Sequence, residues 1–464
     1  MNRNYTRGSI GATMLKTAIF MLPGTLAISG YNVVDTFFVA KLGKLQLAAM
    51  GYTFPVVMLI GCVYHGIAAG IMTPVAQLMG REEPRRASKL VGAGVWLTVL
   101  ISVILGVVGI ATIPVVFPPM GATPEALKYI NGYMIIWYVG GAVNALTMTG
   151  NQLLIATGHA RWAGVSMMGG MLLNAVLDPL FIFGWGIIPG LGIVGAALAT
   201  VLAQCVALIW VFMLINPRMH LVGNFRMPRR LLLAFWWTIL RYGIPAALGM
   251  LLMPIGSTVT TVVVSRLGGD PAIAALAAAG RLEMLGFIFP MSLGIGLLPM
   301  IAQNYGAGYF DRVDRCRRFA MHFAFFFLVA ISVLYFIFAE TLSGWFCEDP
   351  EIKAIMVKYL RVVCACFAFI EIHRYSGFFF TGCGKPAVSA CLNALRILGL
   401  LTPFSLLALW SGSLEAVFYA RLSADTIAGI VGCLLATRLT HRLLRSRRNS
   451  DGINGSLVQA TAKP

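Results

Sequence analysis

The chain has 464 residues, of which 59% are hydrophobic and only 11% charged, with a formal charge of +18 and a mean hydropathy of +0.83. A soluble domain carries about 25% charged residues, so this composition excludes a soluble globular protein and defines a polytopic membrane protein. The apolar runs are long enough to span as helices and lack the alternation of barrel strands, which makes the fold all-α. Fifty glycines and 21 prolines suit close helix packing and broken helices. Nine cysteines include no C-x-x-C spacing, so neither a zinc site nor a redox motif is expected.

Charged or Gly/Pro-rich breaks divide the chain into twelve spans. In order they are 13–39, 46–79, 90–117, 127–157, 162–184 and 190–216, then 232–265, 272–304, 316–340, 352–382, 386–411 and 414–438. Arg3 and Arg7 ahead of the first run, with Ala27-Ile28-Ser29 inside it, give it some likeness to a signal peptide. The repeat described next requires it as a mature helix. Basic residues crowd one set of loops (Arg81, Arg85, Arg86, Lys89; Arg229, Arg230; Arg312, Arg315, Arg317, Arg318) and the C-terminal tail. The other set holds Lys41, Lys44, Lys128, Arg266, Lys353 and Lys358. The positive-inside rule then places both termini in the cytoplasm, in a plasma membrane or, in a bacterium, the inner membrane. The basic excess is topological and gives no reason to expect a nucleic-acid partner.

The two halves repeat. Leu47-Ala48-Ala49-Met50-Gly51 returns as Leu276-Ala277-Ala278-Ala279-Gly280, and Ala76-Gln77 with Gly80 returns as Ala302-Gln303 with Gly306. Thr157-Gly158 with Arg161 matches Thr381-Gly382 with Lys385, and Pro179 falls on Pro403. Six spans separate equivalents, so the halves share one orientation and are related by a pseudo-two-fold axis along the membrane normal. The expected organisation is an N-lobe over 1–216, a cytoplasmic linker over 217–231, a C-lobe over 232–440 and a basic cytoplasmic tail over 441–464. Two six-helix bundles suit a transporter that alternates access across the lipid bilayer, and a monomer would suffice.

Asp35 lies deep in a run that otherwise carries only Lys16. A carboxylate at such depth costs about 3 kcal/mol, which points to function. Asn32 shares its helix face at three residues' spacing. Asn174 and Asp178 stack at four, just before Pro179, whose missing N–H frees the carbonyl of Ala175. The repeat mates of the two acids are Thr260 and Thr402, so both carboxylates of the first half are hydroxyls in the second. Asp35, Asn174 and Asp178 are therefore the expected oxygen ligands, with Thr200 as a fourth. Two carboxylates in one low-dielectric cavity are suited to exchanging a proton near neutral pH. The same oxygens can hold Na+, and the sequence does not separate those ions. No other cofactor is expected.

The second half carries Arg281 and Glu283, Glu371 and Arg374, Arg396, and Arg421 with Asp425 inside its spans. Glu371 with Arg374 and Arg421 with Asp425 have the spacing of structural pairs. Asn32, Arg281 and Glu371 are the candidates for lining a substrate cavity, Glu371 as a contact for a cationic substrate. His65, Met167-Met168 and Phe378-Phe379-Phe380 read as packing. No nucleotide-binding loop is present, so transport must draw on an ion gradient unless another subunit supplies ATP. No nucleophile–base pair suggests an enzyme.

Several stretches resemble the Multidrug And Toxic compound Extrusion (MATE) transporters. They are Asn32-Val33-Val34-Asp35-Thr36 with Leu42-Gly43 and Leu47-Ala48-Ala49, and the run from Asn174 to Gly184. Pro189-Gly190-Leu191-Gly192 leading into Gly195–Thr200, and Thr381-Gly382-Cys383-Gly384-Lys385-Pro386, continue the likeness, which extends over roughly Ala12 to Arg438. The resemblance implies a two-lobed, twelve-helix exporter that exchanges H+ or Na+ for drugs and other small, often cationic, organic compounds. In the branch with an acidic N-lobe, the residues matching Asp35, Asn174, Asp178 and Thr200 form the cation site, and Tyr31 matches a tyrosine beside it. Another branch places a glutamate in the seventh helix; here Met250-Leu251-Leu252-Met253-Pro254 has no carboxylate. The alternative within the superfamily is a flippase for lipid-linked or polysaccharide intermediates, for which several cavity-facing basic residues are expected. A receptor or scaffold without transport does not explain two repeats with intramembrane acids.

Overall fold

Glycine and proline set the helix boundaries. The computed structural model describes residues 5–186, 189–219 and 227–461, with all side chains except those of 28, 29, 32, 33, 216–219 and 447–461. The helices of the first half are α1 (Ile10–Ala40), α2 (Lys44–Gly80), α3 (Pro84–Val116), α4 (Pro124–Val139), α5 (Gly141–Ala156), α6 (Ala160–Phe183) and α7 (Ile193–Met219). Those of the second are α8 (Arg229–Gly306), α9 (Phe310–Ile337), α10 (Ala339–Gly344), α11 (Pro350–Val363), α12 (Phe367–Gly382), α13 (Pro386–Ala394), α14 (Thr402–Ser411) and α15 (Leu414–Thr461).

Among the described residues these helices make twelve spans, as expected. Nine stretches are long and apolar enough to cross a membrane as continuous segments. The other three crossings come from α4 joined to α5 at Gly140, from α11 joined to α12 through the tight turn Cys364–Cys366, and from the break inside α8. That break is Gly269, at φ 59° and ψ −154°, a conformation open in practice only to glycine. The eleventh span passes through a π-helical stretch, Leu395–Leu401, between α13 and α14. Helix α15 continues through the segment expected as a tail, to Thr461.

Burial runs opposite to a soluble helix. On α3 the inward face is small (Gly92, Ala93, Gly94, Thr98, Ser102, Gly106), whereas Val103, Val107, Val108 and Val115 point outward and are exposed. Small inward residues let helices approach closely, and bulky apolar residues face lipid.

Packing divides the described residues into two units. The first comprises Leu15–Leu251 with Met291–Pro299; the second comprises Tyr5–Met14, Leu252–Pro290 and the residues from Met300 on. This division does not follow the linker expected at 217–231, of which 220–226 lie outside the described residues. The start of α8 packs with α2 and α3 because small residues let it in. A Cβ on Gly70 would lie 2.4 Å from the Ile239 carbonyl oxygen, and one on Gly243 would lie 2.8 Å from that of Gly66. Trp236 Nε1 completes the contact by donating to the Ala93 carbonyl at 2.9 Å. The second unit centres on Phe367, with Phe287 and Tyr335 ring centroids at 5.1 and 5.8 Å. The buried hydroxyls of Tyr335 and Tyr375 donate to the carbonyls of Leu282 and Pro290.

Candidate functional site

Helices α1 and α6 run side by side in the first unit. Their backbones touch where a Cβ on Gly164 would come within 2.2 Å of the Phe20 carbonyl oxygen. Further along, the Tyr31 hydroxyl lies over Gly170, 3.4 Å from where a Cβ would sit. One turn beyond Tyr31, Asp35 meets the Asn174 and Asp178 face of α6. The turn from α6 to α7 is fixed by Leu191 and Gly192 N–H groups donating to the Phe181 and Ile182 carbonyls, at 2.9 and 3.0 Å. That return brings Thr200 of α7 to Asn174.

The expected ligand set therefore converges. Asn174 Nδ2 donates to Asp178 Oδ1 at 3.1 Å and to Thr200 Oγ1 at 3.4 Å. Thr200 donates to the Ala196 carbonyl at 3.0 Å. Asp35 interacts with Asp178, Asn174 and Thr200. Asn174 and Asp178 are fully buried and Asp35 is 8% exposed.

The geometry leaves acceptors idle. Asp35 Oδ1, Asn174 Oδ1, Asp178 Oδ2 and the Tyr31 hydroxyl are buried with no donor directed at them, and Asp35 lies within hydrogen-bonding reach of Asp178, so the two carboxyls can share a proton. A buried polar atom left unpaired costs about 1–3 kcal/mol. Three acceptor oxygens at one place fit a hard monovalent cation or a proton. Because the Asn174 amide group is spent on Asp178 and Thr200, its carbonyl is the end left for such an ion. No group of three or more His, Cys, Asp or Glu side chains placed to hold a metal occurs among the described residues.

Tyr133 of α4, 6% exposed, was not singled out by the sequence. It lies within electrostatic reach of both carboxylates, as Tyr31 does. Its placement comes from packing: a Cβ on neighbouring Gly132 would lie 2.8 Å from Val194 of α7.

Of the weaker candidates, Arg281 and Glu371 are not part of this cluster. The Asn32 side chain lies outside the described residues. Arg281, in the second unit, is exposed and belongs to none of the ion pairs found among the described residues. Glu371 is fully buried against Arg374 at 3.3 Å, the structural pairing its spacing suggested. Arg421 reaches Asp425 at 3.6 Å, as the spacing of four implied, but its closer partners are Glu283 at 2.7 Å and the Tyr359 hydroxyl. Asp425 is held by Arg396 at 2.7 Å. The result is a ladder of alternating sign, Glu283–Arg421–Asp425–Arg396. Of the repeat mates, Thr260 donates to the Gly256 carbonyl of its own helix, and the Thr402 hydroxyl is buried without a partner.

Comparison with known proteins agrees with this architecture. The MatE family model matches twice, over residues 22–180 and 245–407. A "FAD transporter" of Shewanella oneidensis is 31% identical over 432 residues, 93% of this chain and 95% of that protein. The "Multidrug export protein MepA" of Staphylococcus aureus is 24% identical over 458 residues, 96% of this chain and 97% of that protein. Among solved structures, an outward-facing multidrug resistance MATE family transporter of the MOP superfamily superposes with a TM-score of 0.87. It is 25% identical and covers 96% of this chain and 99% of its own. The Vibrio cholerae MATE transporter VcmN, in a mutant form, gives 0.86 at 25% identity, over 94% and 97%. Fold and repeat thus define a multi-pass membrane transporter of small molecules. The chain belongs to the MatE family.

Proposed function

We propose that this chain is a secondary exporter that exchanges H+ or Na+ for organic compounds by alternating access, with both termini in the cytoplasm. The observation that carries the reading is the set of idle buried oxygens on Asp35, Asn174 and Asp178. Such a site gains by taking a cation, and a cation is what a gradient supplies. Asp35, Asn174, Asp178 and Thr200, with Tyr31 beside them, hold the ion. Ion occupancy favours one bend of α1 and opposes substrate on the same side, so ion and substrate weaken each other's binding by a common factor. The acids support an ion site in the first half, as in the branch with an acidic N-lobe.

A second reading concerns the cargo. The relative at 31% identity is named for FAD, whereas the multidrug relatives stand at 23–24%. That difference favours a flavin dinucleotide, an aromatic body with a pyrophosphate, as a cargo of this chain alongside organic cations. Both readings are tested in proteoliposomes loaded with FAD or a cationic dye, under an imposed pH gradient and then a Na+ gradient. Asp35→Asn is expected to insert normally and to lose gradient-driven efflux of either cargo. Undiminished efflux by that variant would sink the proposal, and movement of the dye without FAD would remove the second reading.

A further inference from the structure

The segment Tyr5–Gly8, ahead of α1, is bound through its main chain. The Tyr5 N–H donates to Gln303 Oε1 at 2.9 Å. The Tyr5 carbonyl accepts from Asn304 Nδ2 at 3.2 Å and from Arg312 Nη2 at 3.3 Å. The Gly8 carbonyl accepts from Arg312 Nη1 and Nη2 at 3.1 and 3.2 Å. Arg312 is itself aimed by Nε, which donates to Asn304 Oδ1 at 3.0 Å. Gly8 has φ +80°, a left-handed turn that glycine adopts without strain. Tyr5, Thr6, Gln303 and Asn304 are buried.

The repeat shows that this binding is not a requirement of the fold. With Gln303 set on Gln77, Asn304 falls on Leu78 and Arg312 on Arg86. Leu78 has no donor, and Arg86 pairs instead with Glu83 at 3.3 Å, both well exposed. The first repeat thus keeps the glutamine and the arginine but sets them on other partners, Gln77 accepting from the Tyr242 hydroxyl at 3.3 Å and Arg86 on Glu83. The bound segment also has a particular continuation. Tyr5–Met14 packs in the second unit, and α1 from Leu15 on packs in the first. The helix that begins there carries Asp35.

We propose that Gln303, Asn304 and Arg312 form a clasp for the Tyr5–Gly8 main chain, and that the clasp opens and recloses during each transport cycle. The inference rests on the export reading above. Hydrogen bonds from side chains to main-chain carbonyls can be exchanged for water when water has access. A cleft of about 370 Å³, lined by residues 8–11 with Arg312, Arg315 and Phe319, lies against the clasp and supplies that access. Ion-dependent change in α1 then has a releasable anchor at its near end.

The test uses Thr6→Cys in a chain freed of its nine native cysteines, in inside-out vesicles, with a membrane-impermeant maleimide as probe. Labelling is expected to quicken severalfold when a cargo dye and an ion gradient are supplied together. Arg312→Gln should quicken it without either. Arg312→Lys, which keeps the charge but cannot span both carbonyls, should fall between, and serves if the glutamine variant does not fold. Joining Tyr5→Cys to Gln303→Cys by a disulfide should stop efflux until reductant is added. Labelling indifferent to Arg312 overturns the clasp, and full efflux by the cross-linked protein overturns its opening. Dye accumulation inside the same vesicles by the parent, which is export in that orientation, is read separately. Its absence would remove the export reading, while the effect of Arg312 on labelling would still judge the clasp.

Discussion

Asn174 donates to Asp178 Oδ1 across 3.1 Å, one helical turn apart on α6, and so presents its carbonyl rather than its amide to the site. The orientation of a neutral side chain is thereby set by the carboxylate beside it.

Asn174→Ala removes a ligand oxygen and the donor that holds Asp178. The loss is about 1.4 kcal/mol, or tenfold in ion affinity, from one hydrogen bond and one ligand. The half-saturating ion concentration for dye efflux should rise by that factor, with insertion unchanged.

Tyr133→Phe keeps the ring that packs between α4 and α7 and removes the hydroxyl within reach of Asp35 and Asp178. Melting in detergent should be unaltered, while the ion dependence of efflux shifts severalfold. An unmoved ion dependence would make Tyr133 a packing residue only.

Gly164→Val places a side chain where the Phe20 carbonyl oxygen lies 2.2 Å from the first added carbon. Backbone cannot yield there as a flexible side chain could. Overpacking of this kind costs about 1–3 kcal/mol, which should appear as a lower melting temperature. Gly51→Ala meets nothing within 4 Å and should be neutral.

Arg421→Met deprives Glu283 of its ion-pair partner and Asp425 of one of two. Breaking a buried pair from one side costs about 3–5 kcal/mol, so this variant should accumulate poorly and melt early. Lys358→Met, which breaks an exposed pair with Glu415 at 2.7 Å, should cost about 0–1 kcal/mol.

Much of the site was legible because carboxylates are rare in membrane helices and spacing of three or four puts neighbours on one face. Asp35, Asn174 and Asp178 announce themselves that way, as does the Arg421–Asp425 pair. Tyr133 does not, since its role depends on how Gly132 lets α4 settle on α7. Glu283 and Arg421 stand 138 residues apart, and helical spacing carries no information across that distance. The breaks at Gly140 and at Cys364–Cys366 escaped for another reason: hydropathy registers the solvent a segment tolerates, not which carbonyl each N–H selects. The gap left between the spans 232–265 and 272–304 did contain the break within α8, at Gly269.

The ladder in the second unit matches two carboxylates with two guanidinium groups, whereas no cationic side chain forms an ion pair with Asp35 or Asp178 among the described residues. Membrane voltage does work only on net charge, about 2.3 kcal/mol per elementary charge per 100 mV. The ladder is electrically silent, since a field pulls its halves in opposite directions. An ionised Asp35 and Asp178 are not, and any voltage sensitivity of the cycle should be traceable to those two side chains and to whatever cation neutralises them.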